Sequence, residues 1–204
     1  MDQPSRHWDQ VYRTKAPTEV SWYQPKPERS LALIRAAAPS IAAAIIDVGA
    51  GTSTLVDELI AAGYSDLTAL DASAAALEKS AARLGAAGGA VDWIVADVTK
   101  WHPQRTWGVW HDRAVFHFLT DPAAQNAYIA ALGKALPAGA TAIIATFALD
   151  GPEKCSGLPV QRYSGATLAG RLGPGFSLVS ETPERHSTPW GSEQSFIYGA
   201  FRRL

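Results

Sequence analysis

Three carboxylates and a pair of glycines are the residues of this chain whose types and spacing suggest chemistry. The string Ile45-Ile46-Asp47-Val48-Gly49-Ala50-Gly51-Thr52-Ser53 is a short apolar run that leads into a glycine turn. Glycine lets the backbone approach a ligand closely, and a helix opening behind such a turn offers unpaired N–H donors. Leu70-Asp71-Ala72-Ser73 follows at a separation of about twenty residues, where a carboxylate accepts from ribose hydroxyls. A third carboxylate arrives in Ala96-Asp97-Val98, placed to accept from an adenine amino group. Together they imply a nucleoside-containing ligand. A dinucleotide fingerprint requires glycine at position 54, and Thr54 there weakens an NAD reading.

A second group of residues has the means to act on an acceptor. Trp110-His111-Asp112-Arg113-Ala114-Val115-Phe116-His117-Phe118-Leu119 closes the fourth apolar run. Ligands of open α/β sheets bind outside the carboxyl ends of the strands, so His111, Asp112 and Arg113 are expected to face the cleft as base or anchor. Asp112 and Arg113 equally make an ion pair with one another. His117, between two phenylalanines, reads first as a packing residue and second as a base. Cys155, in the loop Gly151 to Tyr163, is a candidate thiol next to Lys154, and Arg162 a candidate anchor for an anionic acceptor. Near the N-terminus Trp8, Tyr12, Trp22 and Tyr23 form an aromatic group suited to roofing a cation, or to packing a cap onto the domain.

The elements that position these residues alternate. Apolar runs at Ala44–Val48, Leu67–Leu70, Val91–Val95, Trp107–His111 and Thr141–Phe147 read as strands. Thr54–Ala62, Ala74–Leu84 and Pro122–Leu136 have helical composition and spacing. Such alternation predicts βαβ units and a mostly parallel, doubly wound α/β sheet. Asp150–Arg162 reads as a loop, Ser164–Leu172 as a last helix. Phe176–Glu181 and Ser195–Arg202 read as an antiparallel pair at the sheet edge, joined by a long turn containing Pro183, Pro189 and Gly191. A helix over Ser5–Arg13 and another from Pro27, carrying Leu31, Leu33 and Ile34 inward, complete a cap over the first thirty residues.

The chain of 204 residues suits a single domain: a cap over 1–30, a ligand-binding core over 41–147, and a cleft loop with terminal strands over 148–204. Lysine plus arginine total 18 against 19 aspartate plus glutamate, so no net field recommends a nucleic-acid or membrane partner. No apolar core follows the charge of the first residues, and nowhere do about eighteen apolar residues run together. A cytoplasmic protein is expected. The one cysteine, Cys155, makes no intramolecular disulfide and no thiolate metal site by itself.

The strings Asp47-Val48-Gly49-Ala50-Gly51-Thr52-Ser53, Leu70-Asp71-Ala72-Ser73, Ala96-Asp97-Val98 and Arg113-Ala114-Val115-Phe116-His117-Phe118-Leu119 resemble the successive motifs of class I S-adenosylmethionine-dependent methyltransferases. The resemblance spans about Ile41 to Phe147 and implies a seven-stranded Rossmann-like fold with an antiparallel C-terminal edge. It implies that the glycine loop from Asp47 through Gly49, Ala50 and Gly51 holds the methionine moiety of S-adenosylmethionine. Ser53 stands where the family often has a further glycine. Asp71 with Ala72 is implied for the ribose, Asp97 with Val98 for the adenine, and Asp112 for a position beside the amino group and the transferred methyl. The aromatic N-terminus, with Trp8 and Trp22, resembles that of small-molecule methyltransferases of the thiopurine and tellurite type.

Methyl transfer from a sulfonium is an in-line displacement, so alignment and exclusion of water dominate, and a base is needed only for a protonated nucleophile. A small-molecule acceptor is the expectation, with S-adenosylhomocysteine as product, no metal, and a monomer or homodimer. A lysine-directed protein methyltransferase and a non-catalytic nucleoside-binding module are the alternatives.

Overall fold

A computed structural model describes residues 3–204, so Met1 and Asp2, the start of the expected cap, lie outside the described residues. The apolar runs form strands with little alternation because helices cover both faces of the sheet. β1 (Ile45–Val48), β2 (Leu67–Asp71), β3 (Val91–Val95), β4 (Val109–Arg113) and β5 (Thr141–Phe147) make the parallel part. Every residue of β1, β2 and β5 is buried, whereas β3 at the edge is half open. A small hairpin, β6 (Lys154–Cys155) with β7 (Leu158–Pro159), follows, and β8 (Phe176–Ser187) and β9 (Glu193–Arg203) close the chain. The main sheet has seven strands in the order β3-β2-β1-β4-β5-β9-β8, with β9 antiparallel to both neighbours.

The helices are α1 (Gln3–Thr14), α2 (Glu28–Ala37), α3 (Leu55–Ala61), α4 (Ala74–Leu84), α5 (Pro122–Ala135) and α6 (Gly165–Leu172). Side-chain oxygens take up orphan N–H groups at three of their starts: Ser73 accepts from Ala76 at 3.2 Å, Asp121 from Ala124 at 3.0 Å and Ser164 from Thr167 at 3.2 Å. One sheet face buries Leu31, Ile34, Leu55 and Leu59 against Ile143 and Phe147. The other buries Tyr128, Leu132 and Leu168 against Trp110 and Phe201. Among the described residues, no helix is long and apolar enough to cross a membrane.

Three expectations are corrected. The fourth strand begins at Val109 rather than Trp107. The Trp107 N–H donates to the Ala135 carbonyl at 2.9 Å and its indole N–H to Thr68 Oγ1 at 3.0 Å, which takes Trp107 out of the ladder. His111 and Asp112 therefore lie inside the strand, and their side chains point to opposite faces. The terminal strands are longer than expected, and the turn between them shrinks to 188–192. Pro183 sits within β8, which tolerates it because β8 is an edge strand with a row of N–H groups that need no partner. Finally, the Asp150–Arg162 loop folds back on itself as the β6–β7 hairpin.

Candidate functional site

The turn after β1 is built around backbone that only glycine adopts without strain. Gly49 has φ of +71° and Gly51 of +54°, and a Cβ on either would run into a neighbour, Val115 for Gly49 and the Tyr12 hydroxyl for Gly51. The turn is tied to the end of β2: the Gly51 N–H donates to Asp71 Oδ2 at 2.8 Å, and the Ser73 N–H to Asp71 Oδ1 at 2.8 Å. Burial raises the Asp71 carboxyl to about 6, against the pull of those two hydrogen bonds and with a further push from Asp47 and Asp9.

Above this turn lies α1, held down by its own polar residues. Asp9 Oδ1 accepts from Ser73 Oγ at 2.6 Å and from the Ala75 N–H at 3.2 Å, placing a carboxylate at the start of α4 where the helix field favours it. Lys79 donates to the carbonyls of Tyr12 and Lys15. The docked helix delivers Trp8 edge-on to Trp22, with centroids 5.8 Å apart, and to Phe118 at 5.0 Å. Between cap and strand ends a cavity of about 490 Å³ opens. Asp71, Ala72, Asp97 and Val98 line it together with Trp8, Trp22, Phe118, Cys155 and Leu158. Asp97 spends Oδ1 on the Thr99 N–H at 2.9 Å and hydroxyl at 2.7 Å.

A smaller cavity of about 50 Å³ adjoins it, sharing Tyr12, Trp22, Gly49 and Arg113. Asp47, Ala50, Ser53, Tyr23, Ser30 and His111 also line it. Asp47 and His111 are register partners on β1 and β4, and His111 Nδ1 lies 2.7 Å from Asp47 Oδ1. Arg113, at the end of the same face of β4, donates from Nε to the Tyr198 hydroxyl at 3.0 Å and from Nη1 to the Trp22 carbonyl at 3.1 Å, and it stacks on Phe196 at 4.4 Å.

The structure thus gathers Trp22, Asp47, Gly49, Ala50, Ser53, Asp71, Ala72, Asp97, Val98, His111, Arg113, Trp8, Tyr23 and Cys155 around two adjoining cavities, with Gly51 behind Asp71. It does not bring three other expected residues there. Asp112 points to the opposite face of β4 and is wholly buried. Its carboxylate accepts from the Val115 N–H at 2.8 Å, the Phe116 N–H at 3.1 Å and the Tyr128 hydroxyl at 2.6 Å, so it shapes the turn after β4 rather than facing the cleft. His117 lies between Phe118 and Phe147, and burial lowers it to about 3, leaving a neutral packing imidazole. Arg162 turns outward to Glu153 at 3.0 Å and to the Gly151 carbonyl at 3.2 Å. Burial pushes the Cys155 thiol up, the reverse of activation.

Sequence reasoning overlooked His7, Leu158 and Ser30. His7 and Leu158 line the larger cavity, and His7 Nε2 lies 3.5 Å from Ser156 Oγ. His7 was detectable as the neighbour of Trp8 on a short helix, whereas no local pattern marks Ser30. Ala114, also on the cavity wall, takes φ of +74°, a strained conformation for a residue with a Cβ. Among the described residues, no group of three His, Cys, Asp or Glu side chains forms a metal site.

The chain is similar to known proteins along most of its length. A family model described as a methyltransferase domain matches residues 45–139. No curated protein matches the sequence. Among solved structures, one described by the conversion of a disulfide bond into a thioacetal group during echinomycin biosynthesis is 25% identical, covers 98% of this chain and 92% of its own, and superposes with a TM-score of 0.76. The N-methyltransferase NodS from Bradyrhizobium japonicum WM9, in complex with S-adenosylhomocysteine, is 15% identical over 97% of this chain and 98% of its own, with a TM-score of 0.72. The 1,6-didemethyltoxoflavin-N1-methyltransferase from Burkholderia thailandensis, with bound 1,6-didemethyltoxoflavin and S-adenosylhomocysteine, is 18% identical over 95% of this chain and 81% of its own, with a TM-score of 0.69.

Proposed function

We propose that this chain, which carries a methyltransferase domain over residues 45–139, is a class I S-adenosylmethionine-dependent methyltransferase whose methyl group goes to a small-molecule acceptor enclosed beneath the N-terminal helix. The observation that carries this reading is the larger cavity. Its volume of about 490 Å³ falls in the range of small-ligand sites, and its lining combines the carboxylates Asp71 and Asp97 with the aromatic residues Trp8, Trp22 and Phe118.

The residues fit the adenosyl group. Gly49 bends the backbone at the wall of both cavities, Asp71 lines the larger one as the ribose acceptor, and Asp97 with Val98 lines it for the adenine. When bound, the donor supplies an electrophilic methyl group on a sulfonium, displaced in line by the acceptor. The chain's part is alignment and the exclusion of water. Trp8 and Trp22 roof the site and present ring faces and edges to a cation. For a nucleophile that arrives protonated, His7 is the cavity-lining side chain suited to take the proton, since Asp112 is spent on the backbone and on Tyr128. An acceptor atom with a ready lone pair, such as sulfur or a heterocyclic nitrogen, needs none. Both kinds are in keeping with the names of the neighbours tied to a thioacetal and to toxoflavin.

Incubation of the purified protein with tritium-methyl S-adenosylmethionine and a size-fractionated extract tests the acceptor class. Label is expected in the small-molecule fraction. Label confined to protein would instead indicate a lysine-directed enzyme.

A further inference from the structure

We propose that His111 and Ser30 are positioning residues that hold Asp47 for the charged amino-acid end of the cofactor, an inference that rests on the adenosyl reading of the larger cavity. Asp47 and His111 face the same side of the sheet as register partners, and α2 crosses that side carrying Ser30. The three form a buried chain: Asp47 Oδ1 lies 2.7 Å from His111 Nδ1, and His111 Nε2 lies 2.8 Å from Ser30 Oγ. Their exposures are 3%, 2% and 0%, so water does not compete for these bonds.

With Oδ1 spent on the imidazole, the carboxylate is fixed in one rotation and its second oxygen is left over. Asp47 Oδ2 is buried and has no hydrogen-bond partner. A buried carboxylate oxygen without a donor is costly, and its presence calls for a partner of opposite character. Asp47 lines the small cavity, whose volume of about 50 Å³ suits a group of few heavy atoms such as an ammonium. A second orphan lines the same cavity. Arg113 Nη2 makes no hydrogen bond, although Glu184 Oε2 lies 3.5 Å away. A carboxylate oxygen without a donor and a guanidinium nitrogen without a hydrogen bond, held only by the longer ion pair to Glu184, line one small space beside the nucleoside cavity, a pattern that receives a zwitterion. Ser30 and His111 line the same cavity, but both ring nitrogens and the hydroxyl are taken up by this chain, so they position Asp47. The imidazole bridges the carboxylate of β1 to the hydroxyl of α2, one ring nitrogen meeting each.

The test is calorimetric binding of two nucleosides, S-adenosylhomocysteine, which has the amino-acid end, and 5′-methylthioadenosine, which lacks it. Wild-type protein is expected to bind the first more tightly. His111→Phe and the milder Ser30→Ala are expected to weaken S-adenosylhomocysteine by about tenfold while leaving methylthioadenosine within about twofold, which also reports that the variants are folded. Equal weakening of both ligands, or no change in either, overturns the inference. If wild-type protein binds both equally, the zwitterion site fails while the adenosyl reading stands; if it binds neither, both fall.

Discussion

The ends of β2 and β4 make an instructive pair, because both strands flank β1 and both carry a buried aspartate whose carboxyl is raised to about 6. Desolvation is the leading cause in each, and each accepts two backbone N–H bonds. They differ in the third partner and in the face they occupy. Asp112 has the Tyr128 hydroxyl at 2.6 Å, itself bonded by the Trp110 indole at 2.9 Å, and lines neither of the two adjoining cavities. Asp71 has no such third donor and forms part of the larger cavity wall. A perturbed carboxyl is therefore not by itself the mark of a binding site. What distinguishes Asp71 is accessible acceptor capacity next to space.

Replacing Asp112 by asparagine is expected to have the largest effect on this contrast. It sets an amide N–H against one of three buried donors and costs about 3 kcal/mol, or about 10 °C in Tm, in thermal unfolding. Affinity of the surviving folded protein for S-adenosylhomocysteine should stay within about twofold. Asp71→Asn also sets its amide N–H against one of two backbone donors and loses stability, but here affinity falls as well, by about 10- to 100-fold in calorimetry for the loss of a charged acceptor. If both variants lose affinity alike, the contrast between the strand ends is false.

Acidity sharpens the same comparison. A carboxyl whose folded value is raised from 3.8 to about 6 keeps its proton in the folded state where the unfolded chain has lost it. Its contribution to stability is complete below the unfolded value and disappears as pH rises through 6, so the ligand-free protein should lose stability across that window and then level off. Ribose hydroxyls donate best to a carboxylate, so affinity for S-adenosylhomocysteine should run the other way, strengthening as pH rises through 6. That binding dependence should vanish in Asp71→Asn and persist in Asp112→Asn.

Smaller effects come from the turns. Gly51→Ala must adopt φ of +54° and displace the Tyr12 hydroxyl, at a cost of about 1–2 kcal/mol, seen as a lower denaturant midpoint. Ala114→Gly is expected to go the opposite way, relieving φ of +74° and stabilising the protein by up to about 1 kcal/mol.

Much of the fold was legible in the sequence. The boundaries of β3, β5 and α4 coincide with their runs of residues, and Asp71 and Asp97 were found because strand ends in a parallel sheet share one rim. The glycine turn was readable for the same reason, since close approach of backbone leaves few residue types that fit. The start of β4 was not readable, because Trp107 is as apolar as the strand it precedes and only the Ala135 carbonyl and Thr68 hydroxyl take it out of the ladder. With β4 running to Arg113, His111 and Asp112 lie inside it and alternate, so of the three residues expected at the cleft only His111 and Arg113 line it.

Local pattern determined by itself the alternating strands and helices and the glycine turn with its first two acidic followers, because backbone geometry and periodic burial act over a few residues. The tertiary structure alone decided which titratable groups are available. Ser30 meets His111 across 81 positions and Asp9 meets Ser73 across 64, and no local rule ties such pairs together. Whether a carboxylate is satisfied or left open depends on donors that other elements bring to it, and those arrive only when the sheet and its helices have packed.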